Sequence, residues 1–311
     1  MSNIIQKQSK WEILSTIRFR FPKQILIFYI IICIGFCLTN CTKHKQSDST
    51  QYSTDSWNKI KDYFNPPTIY KDIYGNYYSL LLLNNGDTVR NATDWSKKRK
   101  EIKETWMNIM GEWPPIIKDQ NLEILDTLKR ENFHQYHIRF YWTPNEQTEG
   151  YLLVPDKKGR KPAIISVFYE PETAIGIGGK PNRDFAYQLT KRGFITLSLG
   201  TTQTTKEKTY SIYYPTINNA SLQPLSALAY AAANAWEVLA KVPDVDSTRI
   251  GIVGHSYGGK WAMFASCLYD KFACAAWSDP GIVFDETKGG YINYWEPWYL
   301  GYYPPPWKNT W

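Results

Sequence analysis

The run Gly254-His255-Ser256-Tyr257-Gly258-Gly259 sets a hydroxyl between glycines, directly after the apolar stretch Ile250-Gly251-Ile252-Val253 and directly before the helical pattern Lys260–Ala265. Gly-x-Ser-x-Gly alone recurs by chance in about one chain in ten of this length. The strand before it and the helix after it are what make it specific. On such a bend the serine sits on a strained turn, and small neighbours are required because a Cβ at Gly254 or Gly258 would collide with the adjoining strand or helix. Ser256 is therefore a candidate nucleophile. The backbone N–H of Tyr257, at the positive end of the following helix, is a candidate donor to the oxyanion formed when Ser256 attacks a carbonyl. The alternative is a glycine-rich turn whose serine only caps the helix.

The surrounding pattern supplies the elements that would hold this bend. Residues 94–110 read as an amphipathic helix: Asp94 can cap it, and Trp95, Ile102, Trp106 and Ile109 share a face. Lys97–Glu101 and Lys100–Glu104 sit at i,i+4, and Gly111 then Pro114 stop the helix. His134–Thr143 and Gly150–Pro155 read as a hairpin through Pro144-Asn145-Glu146. Buried strands and helices then alternate: Ala163–Tyr169, a helix around Arg183–Arg192, Phe194–Leu199, a helix over Leu225–Lys241, Ile250–Val253, a helix from Tyr257, and Phe272–Trp277. Near-continuous apolar strands separated by helices imply a mostly parallel, doubly wound α/β sheet with helices on both faces.

At 311 residues, 43% hydrophobic and 21% charged, the chain has a globular composition, which argues against disorder, collagen-like repeats and coiled coil. Of the net charge of +7, residues 1–40 hold an excess of four positive charges, so the body carries about three and no nucleic-acid partner is indicated. A mean hydropathy of −0.44 excludes a polytopic membrane protein. Ile25–Leu38 is uninterrupted apolar sequence behind a basic stretch. Its 14 residues span about 21 Å, short of the roughly 30 Å hydrocarbon core, so a cleaved signal fits better than an uncleaved anchor. Residues 41–56 are polar and aperiodic, as expected of a tether, and 57–311 are read as one domain. Cys267 and Cys274, close together on predicted core elements, read as small core residues and not as a disulfide framework.

Leu38-Thr39-Asn40-Cys41 resembles the lipobox of bacterial lipoproteins, which implies signal cleavage, acylation of Cys41, membrane attachment through the lipid and an extracytoplasmic body in the cell envelope. The body resembles the α/β-hydrolase superfamily over roughly residues 94–285, and within it the secreted dienelactone-hydrolase-like and acetyl-xylan-esterase-like carbohydrate esterases. The resemblance rests on Gly111-Glu112-Trp113-Pro114-Pro115, on Lys161-Pro162-Ala163-Ile164-Ile165 and on Lys191-Arg192-Gly193-Phe194. Its specific part is Asp246-Ser247-Thr248-Arg249 running through Ile250 to Gly259. Secreted peptidases of the prolyl-oligopeptidase type share the Ser-Tyr-Gly-Gly elbow.

The resemblance implies a second oxyanion donor in the loop Tyr169-Glu170-Pro171-Glu172; Pro171 has no N–H, which leaves Tyr169 or Glu170. It also implies the chain order serine, acid, histidine. The histidines are His44, His134, His137 and His255, none of them after Ser256, so the expectation is a member lacking its last strands, closing helix and histidine. Asp279, after the sixth strand as the fold numbers them, is the candidate acid, from a position that some glucuronoyl-esterase-like members use; Asp285 and Glu286 are weaker candidates. Gly176-Ile177-Gly178-Gly179-Lys180 lacks the spacing and strand context of a phosphate-binding motif and reads as a loop over the site. The aromatic segment Tyr291–Tyr299 could stack on sugars or pack as a lid.

With no His/Cys/carboxylate cluster, neither a metal nor an organic cofactor is expected. The sequence thus predicts a serine hydrolase cleaving acyl esters, with small-molecule or glycan esters as substrates. A prolyl-oligopeptidase-like peptidase and a catalytically dead remnant or binding protein are the alternatives.

Overall fold

The computed structural model describes residues 49–65, 67–73, 78–177, 179, 182–202, 212–216 and 218–281. The expected signal, Cys41, Asp285, Glu286 and the 291–299 aromatic segment lie outside these residues, as does part of the 176–180 loop. The chain divides into two units, the first ending at Tyr77. Described in that first unit are helix α1 (Ser49–Ile60) and two short 3₁₀ turns (Lys61–Phe64 and Thr68–Tyr70), with the rings of Trp57 and Phe64 5.3 Å apart. Among the described residues no helix is long and apolar enough to cross a membrane.

The second unit begins at Tyr78. Helix α2 (Ala92–Met110) opens it. Its N-cap is Asn91, whose side chain accepts from the Asp94 N–H, while Asp94 Oδ2 accepts from the Arg90 N–H at 3.2 Å. Asp94 is thus the reciprocal partner inside the first turn and not the cap. Lys100 pairs with Glu104 as expected, but Lys97 turns to Asp94 and Glu101 to Lys98. Gly111 ends the helix at φ +89°, where a Cβ would lie 2.1 Å from the Ser221 carbonyl oxygen. This accounts for a glycine at the head of the Gly-Glu-Trp-Pro-Pro segment.

Among the described residues seven strands follow: β1 (Glu123–Lys129), β2 (Phe133–Thr143), β3 (Glu146–Pro155), β4 (Lys161–Phe168), β5 (Ile195–Gly200), β6 (Val245–His255) and β7 (Cys274–Ser278). Their order is β1-β2-β3-β5-β4-β6-β7, with β1, β2 and β3 joined antiparallel, β3 antiparallel to β5, and β5, β4, β6 and β7 mutually parallel. The sheet is the mixed, mostly parallel one predicted. Strand β1 is additional: mostly exposed at the sheet edge, it lacks the apolar run that reveals the inner strands.

Short helices α3 (Pro171–Ala174) and α4 (Phe185–Lys191) follow β4, α5 (Pro224–Leu239) follows β5, and α6 (Tyr257–Leu268) follows β6. Helix α5 is buried along its whole length, which suits a sequence apolar all round and rich in alanine. It packs on α6 and against β2, β4 and β6 over the main core, while α4 covers a smaller cluster of Phe133, Leu153, Ala174, Ile175 and Ala186. The few polar atoms on α5 stitch the Trp113–Ile117 segment to it. Ser226 Oγ accepts from Trp113 Nε1 at 2.8 Å, and the Tyr230 hydroxyl donates to the Pro115 carbonyl at 2.8 Å. Asn234 accepts from the Ile117 N–H at 2.9 Å and donates to the Trp142 carbonyl at 2.8 Å.

The chain leaves β4 to form β5 on one side of it and returns to form β6 on the other. Strand order therefore reverses at β4, and the crevice beyond the C-terminal ends of β4 and β6 is where an open α/β sheet accepts a ligand.

Asn234 is fully buried, and replacing it by leucine orphans both the Ile117 N–H and the Trp142 carbonyl. Asn234→Leu is expected to lower the unfolding free energy by about 2–4 kcal/mol, read from urea denaturation midpoints at constant m.

Candidate functional site

Ser256 stands at the switch point, between the last residue of β6 and the first of α6. Its backbone is left-handed, φ +55° and ψ −116°, a strained conformation for a residue with a Cβ. Three close approaches enforce the bend. A Cβ on Gly254 would meet the Gly258 carbonyl oxygen at 2.0 Å, one on Gly258 would meet the Val167 carbonyl oxygen of β4 at 2.0 Å, and one on Gly259 would meet the Ser278 carbonyl oxygen at 2.8 Å. The first two glycines have the role read from sequence; Gly259 adds a contact to the end of β7. Ser256 itself is half-buried, and its N–H donates to the Ser278 carbonyl at 2.8 Å.

Tyr257 occupies the first position of α6, where the helix dipole places positive potential. Its ring is fully buried, stacks on Tyr169 with centroids 4.8 Å apart and planes 25° from parallel, and accepts from Thr201 Oγ1 at 3.1 Å. Burial pushes the Tyr257 phenol far up, so it stays neutral. These contacts anchor the side chain of the residue whose N–H is the candidate oxyanion donor.

Val167 pairs with Gly254, so Tyr169 and Glu170, the next residues after β4, lie beside the elbow. Glu170 is extended (φ −126°, ψ 137°) and leads into α3 with Pro171 at its first position. Both residues from which the second oxyanion donor was expected are thus on the rim of the site. Asp279 follows β7, one residue beyond the carbonyl that holds Ser256, in a left-handed conformation of φ +49°. It is exposed.

The other histidines lie elsewhere. His134 Nδ1 is 3.1 Å from Asp156, and His137 Nε2 is 3.0 Å from Glu149, both on the β2–β3 side of the sheet. His255 turns toward β7, its Nδ1 3.1 Å from Ser278 Oγ. Burial and the nearby Arg183 guanidinium lower its pKa, with Asp279 opposing them.

Two cationic residues near the site were not singled out from sequence. Arg183, on the segment after α3, is close enough to act on His255. Lys260 is one helical turn past Ser256 and only 2% exposed. Burial drives its pKa down to about 8, against the pull of the Asp279 carboxylate. The sequence did carry a signal for it, because Lys260 is the single charged residue in α6. Cys267 and Cys274 are a correction: both are exposed among the described residues, Cys267 in the last turn of α6 and Cys274 at the start of β7. Among the described residues no group of three His, Cys, Asp or Glu is placed to hold a metal ion.

Two measurements check this geometry. Gly258→Ala drives a methyl into the Val167 carbonyl and is expected to cost about 3 kcal/mol or more by denaturant unfolding. For Lys260 the folded pKa lies below the unfolded one, so between about pH 8 and pH 10 the unfolded chain binds the extra proton and stability rises with pH. Lys260→Met is therefore expected to gain about 2–3 kcal/mol at pH 7, the gain shrinking toward pH 10.

With this geometry in hand, comparison with known proteins gives one partial family match and a set of structural likenesses. The prolyl oligopeptidase family matches residues 231–310, a span that holds α6, β7 and the elbow. No curated protein matches. Among solved structures, a glucuronoyl esterase from Solibacter usitatus superposes with a TM-score of 0.53 at 18% identity, covering 66% of this chain and 64% of that one. A second structure of a glucuronoyl esterase from Solibacter usitatus gives 0.52 at 19% identity with the same coverage. A CE15 glucuronoyl esterase from Teredinibacter turnerae gives 0.48 at 16% identity, covering 64% of this chain and 55% of that one. The chain thus spans a little under two thirds of the length of the Solibacter structures. The mixed sheet, its switch point at β4 and the left-handed serine between β6 and α6 are the α/β-hydrolase fold.

Proposed function

We propose that the protein is a serine hydrolase cleaving acyl esters of glycans. The observation that carries this reading is the elbow: a half-buried serine at φ +55°, presented at the switch point between glycines that admit no side chain. The glycan ester as substrate class is supported by the Solibacter structures, described as glucuronoyl esterases.

In this reading Ser256 Oγ attacks the acyl carbonyl carbon and gives up its proton to a base outside the described residues. The carbonyl oxygen becomes an oxyanion, met by the N–H of Tyr257 and by that of Tyr169 or Glu170. The oxyanion collapses, the C–O bond to the leaving alcohol breaks, and the alcohol departs with the proton. Water then hydrolyses the acyl-enzyme by the reverse sequence, restoring Ser256. Asp279 is the proposed acid orienting the base. Acylation of Cys41 would hold the enzyme at the cell envelope, facing outward.

A peptidase is the second reading, favoured by the prolyl oligopeptidase match over residues 231–310. The elbow serves either acyl group.

A fluorophosphonate probe is expected to label the protein at Ser256 and to leave Ser256→Ala unlabelled. On a panel of acetylated xylo-oligosaccharides, glucuronate methyl esters and peptide p-nitroanilides, turnover is expected with the esters, falling at least 10³-fold in Ser256→Ala. Turnover of the anilides alone would replace the esterase by the peptidase, and labelling at another residue would remove Ser256 as the nucleophile.

A further inference from the structure

A second concavity opens on the same edge of the sheet, across the Tyr169–Glu172 loop from Ser256. β3 and β5 are paired only from Gly150–Leu199 to Leu153–Thr196. Beyond Gly150 the start of β3 and Thr201–Thr202 diverge, and the fork between them is a cleft of about 260 Å³. At ~4.8 Å per strand, β3 lies three strands and about 14 Å from β6, so one oligosaccharide could occupy both places. Pro171 and Glu172, continuing the loop that borders the elbow, form the wall nearest Ser256.

The lining has a definite chemistry. Tyr151 stacks on His137, centroids 5.1 Å apart and planes 24° from parallel, and its hydroxyl donates to Glu172 Oε1 at 3.2 Å. Glu149 is fixed by Arg139 Nη2 at 2.6 Å and by His137 Nε2 at 3.0 Å. Trp142, 4% exposed, also lines the cleft. The cleft therefore offers carboxylate acceptors already held in position and a tyrosine ring.

Charge narrows the ligand. Glu146, Glu149 and Glu172 repel an anion, while Glu149 is already paired with the Arg139 guanidinium, which weakens the attraction for a cation. A neutral polyhydroxylated ring matches what remains: its hydroxyls donate to carboxylate oxygens, and its apolar C–H face lies on an aromatic ring. The volume suits a single such ring, not an extended ligand.

We infer that this cleft is a subsite for one neutral sugar unit of the glycan, at a distance from the ester that Ser256 attacks. The inference rests on the glycan-ester reading, and it gives Tyr151 and Glu172 a part in choosing substrate.

Binding is measured without turnover, by calorimetry of xylotetraose and cellotetraose with the full-length Ser256→Ala protein. Saturable binding of at least one is expected, weakened at least tenfold by adding Tyr151→Ala or Glu172→Gln. Tyr151→Phe, which keeps the ring and loses the hydroxyl, is expected to weaken it less, and thermal melts report whether each variant is folded. In the active protein the same substitutions are expected to raise KM for an acetylated xylo-oligosaccharide about tenfold, with the loss in KM and not in kcat. No binding of either oligosaccharide, or binding unchanged in folded Tyr151→Ala and Glu172→Gln proteins, overturns the subsite. Oligosaccharide binding with no hydrolysis of any ester by the wild-type chain would instead retain the subsite and overturn the esterase.

Discussion

The structure depends on one backbone-to-backbone approach, the seating of the first turn of α6 against the end of β4. Gly258 lies so close to the Val167 carbonyl that a methyl group would stand 2.0 Å from the oxygen. This contact fixes the height of α6 on the sheet and thereby the bend that precedes it. Ser256 accepts an unfavourable φ because Gly254, Gly258 and Gly259 leave the chain no relaxed path between β6 and α6. Packing free energy from α5 and α6 offsets that strain, since both helices bury most of their residues in the main core.

The same approach explains why the remaining groups collect where they do. With β4 and β6 in register from Ala163–Ile250 to Val167–Gly254, the residues after β4 and the serine after β6 emerge side by side. Register thus does for the oxyanion loop what the glycines do for the nucleophile. Tyr257 joins the two, its N–H at the head of α6 and its ring clamped against Tyr169 and Thr201.

Much of this was legible in the residues. Apolar runs announced the inner strands because those strands are buried on both faces, and the glycines around Ser256 announced the bend because nothing larger fits. Strand β1 was missed since an exposed edge strand needs no apolar run. The cap of α2 fell on Asn91 because Asx side chains three apart cap reciprocally, and sequence gives little to choose between them. Cys267 and Cys274 were misassigned to the core because composition reports what a residue prefers, not which face of its element it occupies. The influence of Arg183 on His255 and the fork between β3 and β5 arise from contacts distant in sequence, which periodicity does not encode.

Ser278 carries a last consequence. Its carbonyl holds the Ser256 amide, and its hydroxyl meets His255, so β7 tethers the nucleophile directly. Any displacement of β7 therefore reaches the serine through a single backbone hydrogen bond, without passing through the α5–α6 core.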